Sequence, residues 1–79
     1  MTHFFFHSWR GDQRSGDDVG LDLAHRTQAQ DLAARDLGEM ARDVLHGSAM
    51  AMTLGIDIAD ADGLLLARLR LAYTFEIEP

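Results

Sequence analysis

The sequence predicts an α+β fold: a four-stranded antiparallel sheet in the chain order β-β-α-β-β, with one helix on one face. Three observations lead to this. From Met50 to Ile77 apolar residues alternate along the chain, with one break at Asp60-Ala61-Asp62-Gly63; period two means extended chain with one buried face. From Ala29 to Leu45 the apolar residues recur at helical spacing instead. The opening segment, Phe4 to Trp9, is aromatic and runs into Gly11, which is how a strand begins and ends.

The first strand is placed over Phe4–Trp9. Arg10 to Asp18, with its Gly, Ser and Asp residues, has the chemistry of a loop. Val19, Leu21 and Leu23 alternate with Gly20 and Asp22, giving a short second strand that its glycine suits to an edge. The helix is expected over about residues 27–46. Thr27 and Gln30 fit a capping box at its start. Ala29, Leu32, Ala33, Leu37, Met40, Ala41, Val44 and Leu45 form its apolar stripe. Asp31/Arg35 and Arg35/Glu39 are spaced to pair along its surface. Gly38 costs ~1 kcal/mol relative to Ala, which suggests close approach to the sheet, and Gly47 stands where a helix ends. Met50, Met52, Leu54, Ile56 and Ile58 then line one face of the third strand. Leu65, Ala67, Leu69, Leu71, Tyr73, Phe75 and Ile77 line the same face of the fourth. Asp60–Gly63 joins them as a turn that wants a left-handed residue at Gly63.

Two antiparallel hairpins with a right-handed crossover through the helix give the strand order 2-1-3-4. The first strand is then central, which suits its three consecutive Phe. One helix with one stripe covers one face of the sheet. The other face carries Leu64, Leu66, Arg68, Arg70, Ala72, Thr74 and Glu76 on the fourth strand and Thr53, Gly55 and Asp57 on the third. The first strand adds either Phe5, His7 and Trp9 or the Phe4/Phe6 pair. Leu64, Leu66 and an aromatic from the first strand are more apolar than a solvated face requires, and such patches mark interfaces. The candidate interaction surface is therefore Phe5, His7, Trp9, Leu64, Leu66, Arg68, Arg70 and Thr74. Arg68 and Arg70, two apart on one face, suit a partner's carboxylates or a phosphate backbone; cross-strand pairing to Asp57 is the structural alternative.

At 79 residues the chain is one domain, 1–79, and buries only ~60% of its unfolded surface. It has no cysteine, so packing or a partner subunit must stabilise it. Thirteen Asp and Glu against seven Arg and no Lys leave a net charge of -6. That balance disfavours direct nucleic-acid binding, which needs a basic face. No apolar run approaches the ~18 residues of a membrane span, and the start lacks the basic segment of a secretory signal. A cytoplasmic protein is expected.

No motif points to catalysis or to a cofactor. His3 and His7, four apart on a strand, lie about 13 Å from each other, too far to share one ion. Asp57, Asp60, Asp62 and Gly63 resemble a calcium loop, but Ile58 and Leu69 fall at positions that need ligands; a hairpin turn is preferred. His46 near the helix end suits capping. No nucleophile elbow, phosphate loop or distinguished carboxylate pair is present, and one helix on one sheet rarely encloses a pocket. The expectation is a non-enzyme without metal or cofactor.

Four segments in this order resemble a family of short bacterial proteins classed only as a domain of unknown function. They are Phe4-Phe5-Phe6-His7, the Asp18-x-Gly20 step into Leu21 and Leu23, the helix from Ala29 and Ala33 to Glu39-Met40-Ala41-Arg42-Asp43, and the closing hairpin. The resemblance covers nearly the whole chain and implies no activity. The chain departs from it in having Ala24-His25-Arg26 before the helix, where an Asp or Pro is expected. The opening aromatic strand, glycine-bearing second strand and helix are also similar to the HicB-type antitoxin domain, which would imply a toxin partner; the Pro-rich step of that group and its DNA-binding segment are absent. The reading that results is a small acidic protein-binding module, self-associating as a homodimer through the uncovered sheet face. The alternative is a phage- or operon-borne inhibitor, anti-CRISPR-like or antitoxin-like, that binds a basic nucleic-acid-handling protein.

Overall fold

The sheet is built around β4, Ala51–Ala59. Leu54, Ile56 and Ile58 are buried on one side of it, and Gly55, Asp57 and Ala59 are buried on the other, because successive side chains of a strand alternate between faces. In the computed structural model, which describes residues 1–79, β4 lies between β1 (Thr2–Arg10) and β5 (Leu65–Thr74), antiparallel to both. Phe6 stands opposite Ile58 and Trp9 opposite Gly55; across the other side Leu69 faces Ile56 and Arg68 faces Asp57. The path through the sheet is β2-β1-β4-β5, where β2 is Gln13–Ser15, and β3 (Leu21–Leu23) also pairs with β1.

The sheet thus has five strands, not the four expected. The extra one lies inside the predicted Arg10–Asp18 loop. Gly11, at φ 62°, turns the chain, and Gln13–Ser15 folds back onto Ser8–Arg10. All three residues of β2 are exposed, so no apolar alternation announced it. β3 pairs with the other end of the same edge of β1, from Thr2 to Phe4. Apart from this insertion the expected neighbours stand: second beside first, first beside third, third beside fourth.

Helix α1 spans Arg26–Leu45, between β3 and β4. Its N-cap is His25 rather than Thr27. Gln28, not Gln30, reaches back, accepting the backbone N–H groups of His25 (3.1 Å) and Ala24 (2.9 Å). The box logic holds two residues upstream of the predicted place. Ala29, Ala33, Leu37 and Val44 bury the helix on Phe4, Leu54, Ile56 and Ile58 to make the core. The small alanines let helix and sheet approach closely near the helix start. Gly38 does not serve that purpose: it is exposed, and a Cβ there would meet nothing within 4 Å. The predicted Asp31/Arg35 and Arg35/Glu39 pairs are absent from the ion pairs of the molecule; the helix instead touches β1 through Asp43 and Arg10, 3.8 Å apart. The helix ends at a His46 C-cap, with Gly47 next in a conformation that does not have positive φ.

The β4–β5 hairpin turns as predicted, with Gly63 at φ 83°. Asp60 anchors it, its Oδ1 accepting N–H groups from Asp62 and Leu64, both at 2.9 Å. A bulge follows: Ile58 pairs with Ala67, but Ala59 pairs with Leu65. Leu66 is the extra residue. It packs on the core while Leu65 shares the face of Ala59, so the two leucines exchange the roles expected of them. β5 stops at Thr74, and the predicted extension to Ile77 is not strand. Beyond the cover of the helix, inward-series residues stand open: Met50, Leu71, Phe75 and Ile77 are 52%, 42%, 52% and 76% exposed.

Candidate interaction surface

The face of the sheet away from the helix centres on Asp57. Strand alternation forces this carboxylate onto it, yet only 8% of the residue is accessible. Arg68, directly across on β5, donates Nε to Oδ1 at 2.7 Å and Nη2 to Oδ2 at 3.1 Å. Trp9, on β1, donates its ring N–H to Oδ2 at 3.1 Å. A two-pronged guanidinium contact of this kind is strong and directional. Arg68 foremost, then the Trp9 bond, holds the Asp57 carboxyl below its ordinary value against the opposing effect of burial. The guanidinium of Arg68 is correspondingly raised by Asp57.

Beside this cluster the face is hollow. Gly55 lies between Trp9 and Arg70 in the register, and a Cβ on it would sit 3.1 Å from the Leu69 carbonyl and 3.8 Å from both neighbours' side chains. The missing side chain leaves an open groove of about 250 Å³ along Trp9, Thr53, Gly55, Arg68 and Arg70. Arg14 of β2, paired with Trp9, holds its guanidinium 5.5 Å from the indole centroid, within cation–π range. Arg70 forms no ion pair. An acidic chain therefore carries three arginines and an indole on this face, with a single carboxylate among them already neutralised.

A second polar cluster closes the β1 edge. β2 and β3 leave a gap there, and the Phe6 N–H inside it is taken by Asp17 Oδ2 at 3.0 Å. The other oxygen of Asp17 accepts from Val19 and Gly20, each at 3.0 Å, and its own N–H donates to His7 Nδ1 at 3.0 Å. The Gly20 bond first, with those from Phe6 and Val19, lowers the Asp17 carboxyl. His3 is held between Asp22 (2.6 Å) and the Val19 carbonyl (2.8 Å), which raises its ring above the ordinary 6.5, the Asp22 bond most. Gly20, at φ 73°, is required at this point, since a side chain would strike the His3 ring and come within 2.8 Å of the Phe4 carbonyl.

Of the residues singled out from the sequence, Phe5, His7, Trp9, Arg68 and Arg70 gather on one face, settling the choice against the Phe4/Phe6 pair: Phe4 is core and Phe6 packs against it. Leu64 lies in the turn, 63% exposed. Leu66 is turned to the core by the bulge. Thr74 stands opposite Ala51, past the end of the β1 pairing. Cross-strand pairing to Asp57 occurs for Arg68 alone. Arg14 and Asp17 were missed. Asp17, followed by amides at two and three residues that its side chain accepts, has the spacing of an Asx turn; Arg14 carried no signal.

No helix is long and apolar enough to cross a membrane. Neither the curated proteins nor the solved structures contain a match to this chain. A family model does match, over residues 3–72, described as a domain of unknown function, DUF6894. That span takes in every strand but Thr2 of β1 and the last two residues of β5, together with the helix and the whole of the Asp57 cluster, and the chain belongs to this family.

Proposed function

We propose that the chain is a non-enzymatic protein-binding module whose uncovered sheet face takes up a carboxylate-bearing segment of a protein partner. The observation that carries this reading is the division of labour between two arginines. Arg68 is spent on Asp57, whereas Arg70 borders the glycine-floored groove with no ion pair of its own. A guanidinium beside an indole offers both a forked donor for a carboxylate and a flat apolar surface for the adjoining side chain. Aromatic and arginine side chains are also the residues that dominate binding energy at protein interfaces. The one buried carboxylate is held ionised by Arg68, opposite to what a general acid near neutral pH requires, and the groove is open. The excess acid lies on the loops, the helix and the tail, so the sheet face is locally basic and favours an acidic partner over a basic one.

Selection of random peptides on the immobilised domain tests the reading. Enriched sequences should carry Asp or Glu next to an apolar residue, and Arg70→Glu should exchange that preference for Lys or Arg. Selection with no acidic enrichment, or with enrichment indifferent to Arg70 and Trp9, would refute it.

A further inference from the structure

We infer that the free edge of β5 pairs antiparallel with β5 of a second copy, in the register that sets Tyr73 opposite Tyr73. This surface is the strand's edge; Arg70 borders both it and the groove, but the pairing needs no partner in the groove, so the inference does not rest on the preceding reading. The argument begins with backbone direction. The N–H of Phe75 donates to the Met50 carbonyl at 2.7 Å, and the register pairs Met52 with Tyr73 and Leu54 with Leu71. In an antiparallel ladder residues turn their N–H and C=O to one neighbour and then the other. Beyond the bulge, from Ala67 to Tyr73, the odd residues of β5 therefore bond to β4, and Arg68, Arg70, Ala72 and Thr74 turn their backbone groups outward. β5 is the last strand of the sheet, with ten residues, and no other strand pairs with its outer edge. Long apolar edges of that kind are templates for another strand.

The side chains specify the occupant. Pairing a copy about Tyr73 places Arg70 opposite the second copy's Glu76 and Arg68 opposite its Glu78, on the groove side of the sheet. On the helix side it places Leu71 against Phe75 and Leu69 against Ile77. The residues past Thr74 are not strand in the protomer, yet they continue the alternation of β5, with exposed Phe75 and Ile77 on one side and Glu76 and Glu78 on the other. A register centred on Leu69 would instead set Arg68 against Arg70 of the other copy, and like charges directly opposite are destabilising. Charge and apolar patterns agree on a self-complementary edge, as a symmetric interface demands.

Sedimentation equilibrium across the micromolar to millimolar range tests this. The wild type should dimerise. Ala72→Pro removes one outward N–H without touching the β4 ladder and should give a monomer. Glu76→Arg should weaken the dimer about tenfold, from cross-strand pairs repeated by symmetry, and Arg70→Glu combined with Glu76→Arg should restore it. Circular dichroism checks that each variant is folded; where Ala72→Pro is not, the exchange of charges decides. A monomer at millimolar concentration overturns the inference. So does a dimer that the single charge reversal leaves unchanged, or one that the double exchange fails to restore.

Discussion

Asp57 and Asp17 show how a carboxylate on a thin domain becomes structural. Each is placed where backbone or side-chain donors converge, and each is lowered from the ordinary 3.8 by those donors. A carboxyl whose folded value lies below its unfolded one contributes stability that is present above the unfolded value and is lost as pH falls through the folded one. His3 has the opposite sign. Its ring is raised above 6.5, so its contribution is full below that pH and disappears as pH rises through the folded value. Thermal stability should therefore fall on both sides of a plateau in the mildly acidic range. Asp57→Asn should blunt the acid limb only and His3→Gln the neutral limb only, as read from melting temperature against pH. An acid limb unchanged in Asp57→Asn would show that the Arg68 contact contributes nothing to folding. Gly38 makes the simplest case at this scale. It sits in mid-helix, facing open space, so Gly38→Ala should raise stability by about 0.5–1 kcal/mol, seen as a higher denaturation midpoint.

At the scale of elements, β4 bears the fold because it is buried on both faces over Leu54–Ala59. Leu54→Ala should cost ~2–5 kcal/mol, much of the stability of so small a domain. Leu69→Ala, on the half-buried neighbouring strand, should cost less. Thr53→Ala, exposed on the groove side, should stay within roughly 0.5 kcal/mol. Urea titration of the three gives the order, and equal losses would mean that the two faces are wrongly assigned. The same strand explains what could be read from the chain alone. Its alternation with β5 is long and regular, so hairpin, turn and facing residues were legible, as was the Asp57–Arg68 cross-strand pair. β2 was not, because three exposed polar residues obey no apolar period. The bulge was not, because one inserted leucine between leucines leaves the apolar pattern intact while shifting which of them points inward. The groove was half legible: Gly55 and the two arginines fall on one face by counting, but the indole could reach that face only once the direction of β1 was known.

At the scale of the whole molecule the protein is long for its size, measuring 53 × 21 × 16 Å with a radius of gyration of 14.1 Å. About 12 Å is usual for a compact chain of this length. The β4–β5 hairpin accounts for it: β1 pairs with β4 only over Leu54–Ala59, so the Ala51–Thr74 end projects past the first strand with apolar residues uncovered. An end of this kind is the first part of a sheet to open, having few neighbours to hold it. Pairing with a second copy would cover it, and the ladder directions give that event a signature. In dilute protein the amides of Leu69, Leu71 and Tyr73, bonded to β4, should exchange slowly, while those of Arg70, Ala72 and Thr74 exchange fast. As concentration rises through the dimer dissociation constant the second set should slow as well, and the melting temperature should climb with it, since association stabilises only the folded form. Residue-resolved hydrogen exchange at two concentrations distinguishes this from a partner on the groove face, which would leave the odd–even alternation along β5 intact. Alternation that survives at millimolar protein would mean that the edge is free and that the projecting hairpin serves some other contact.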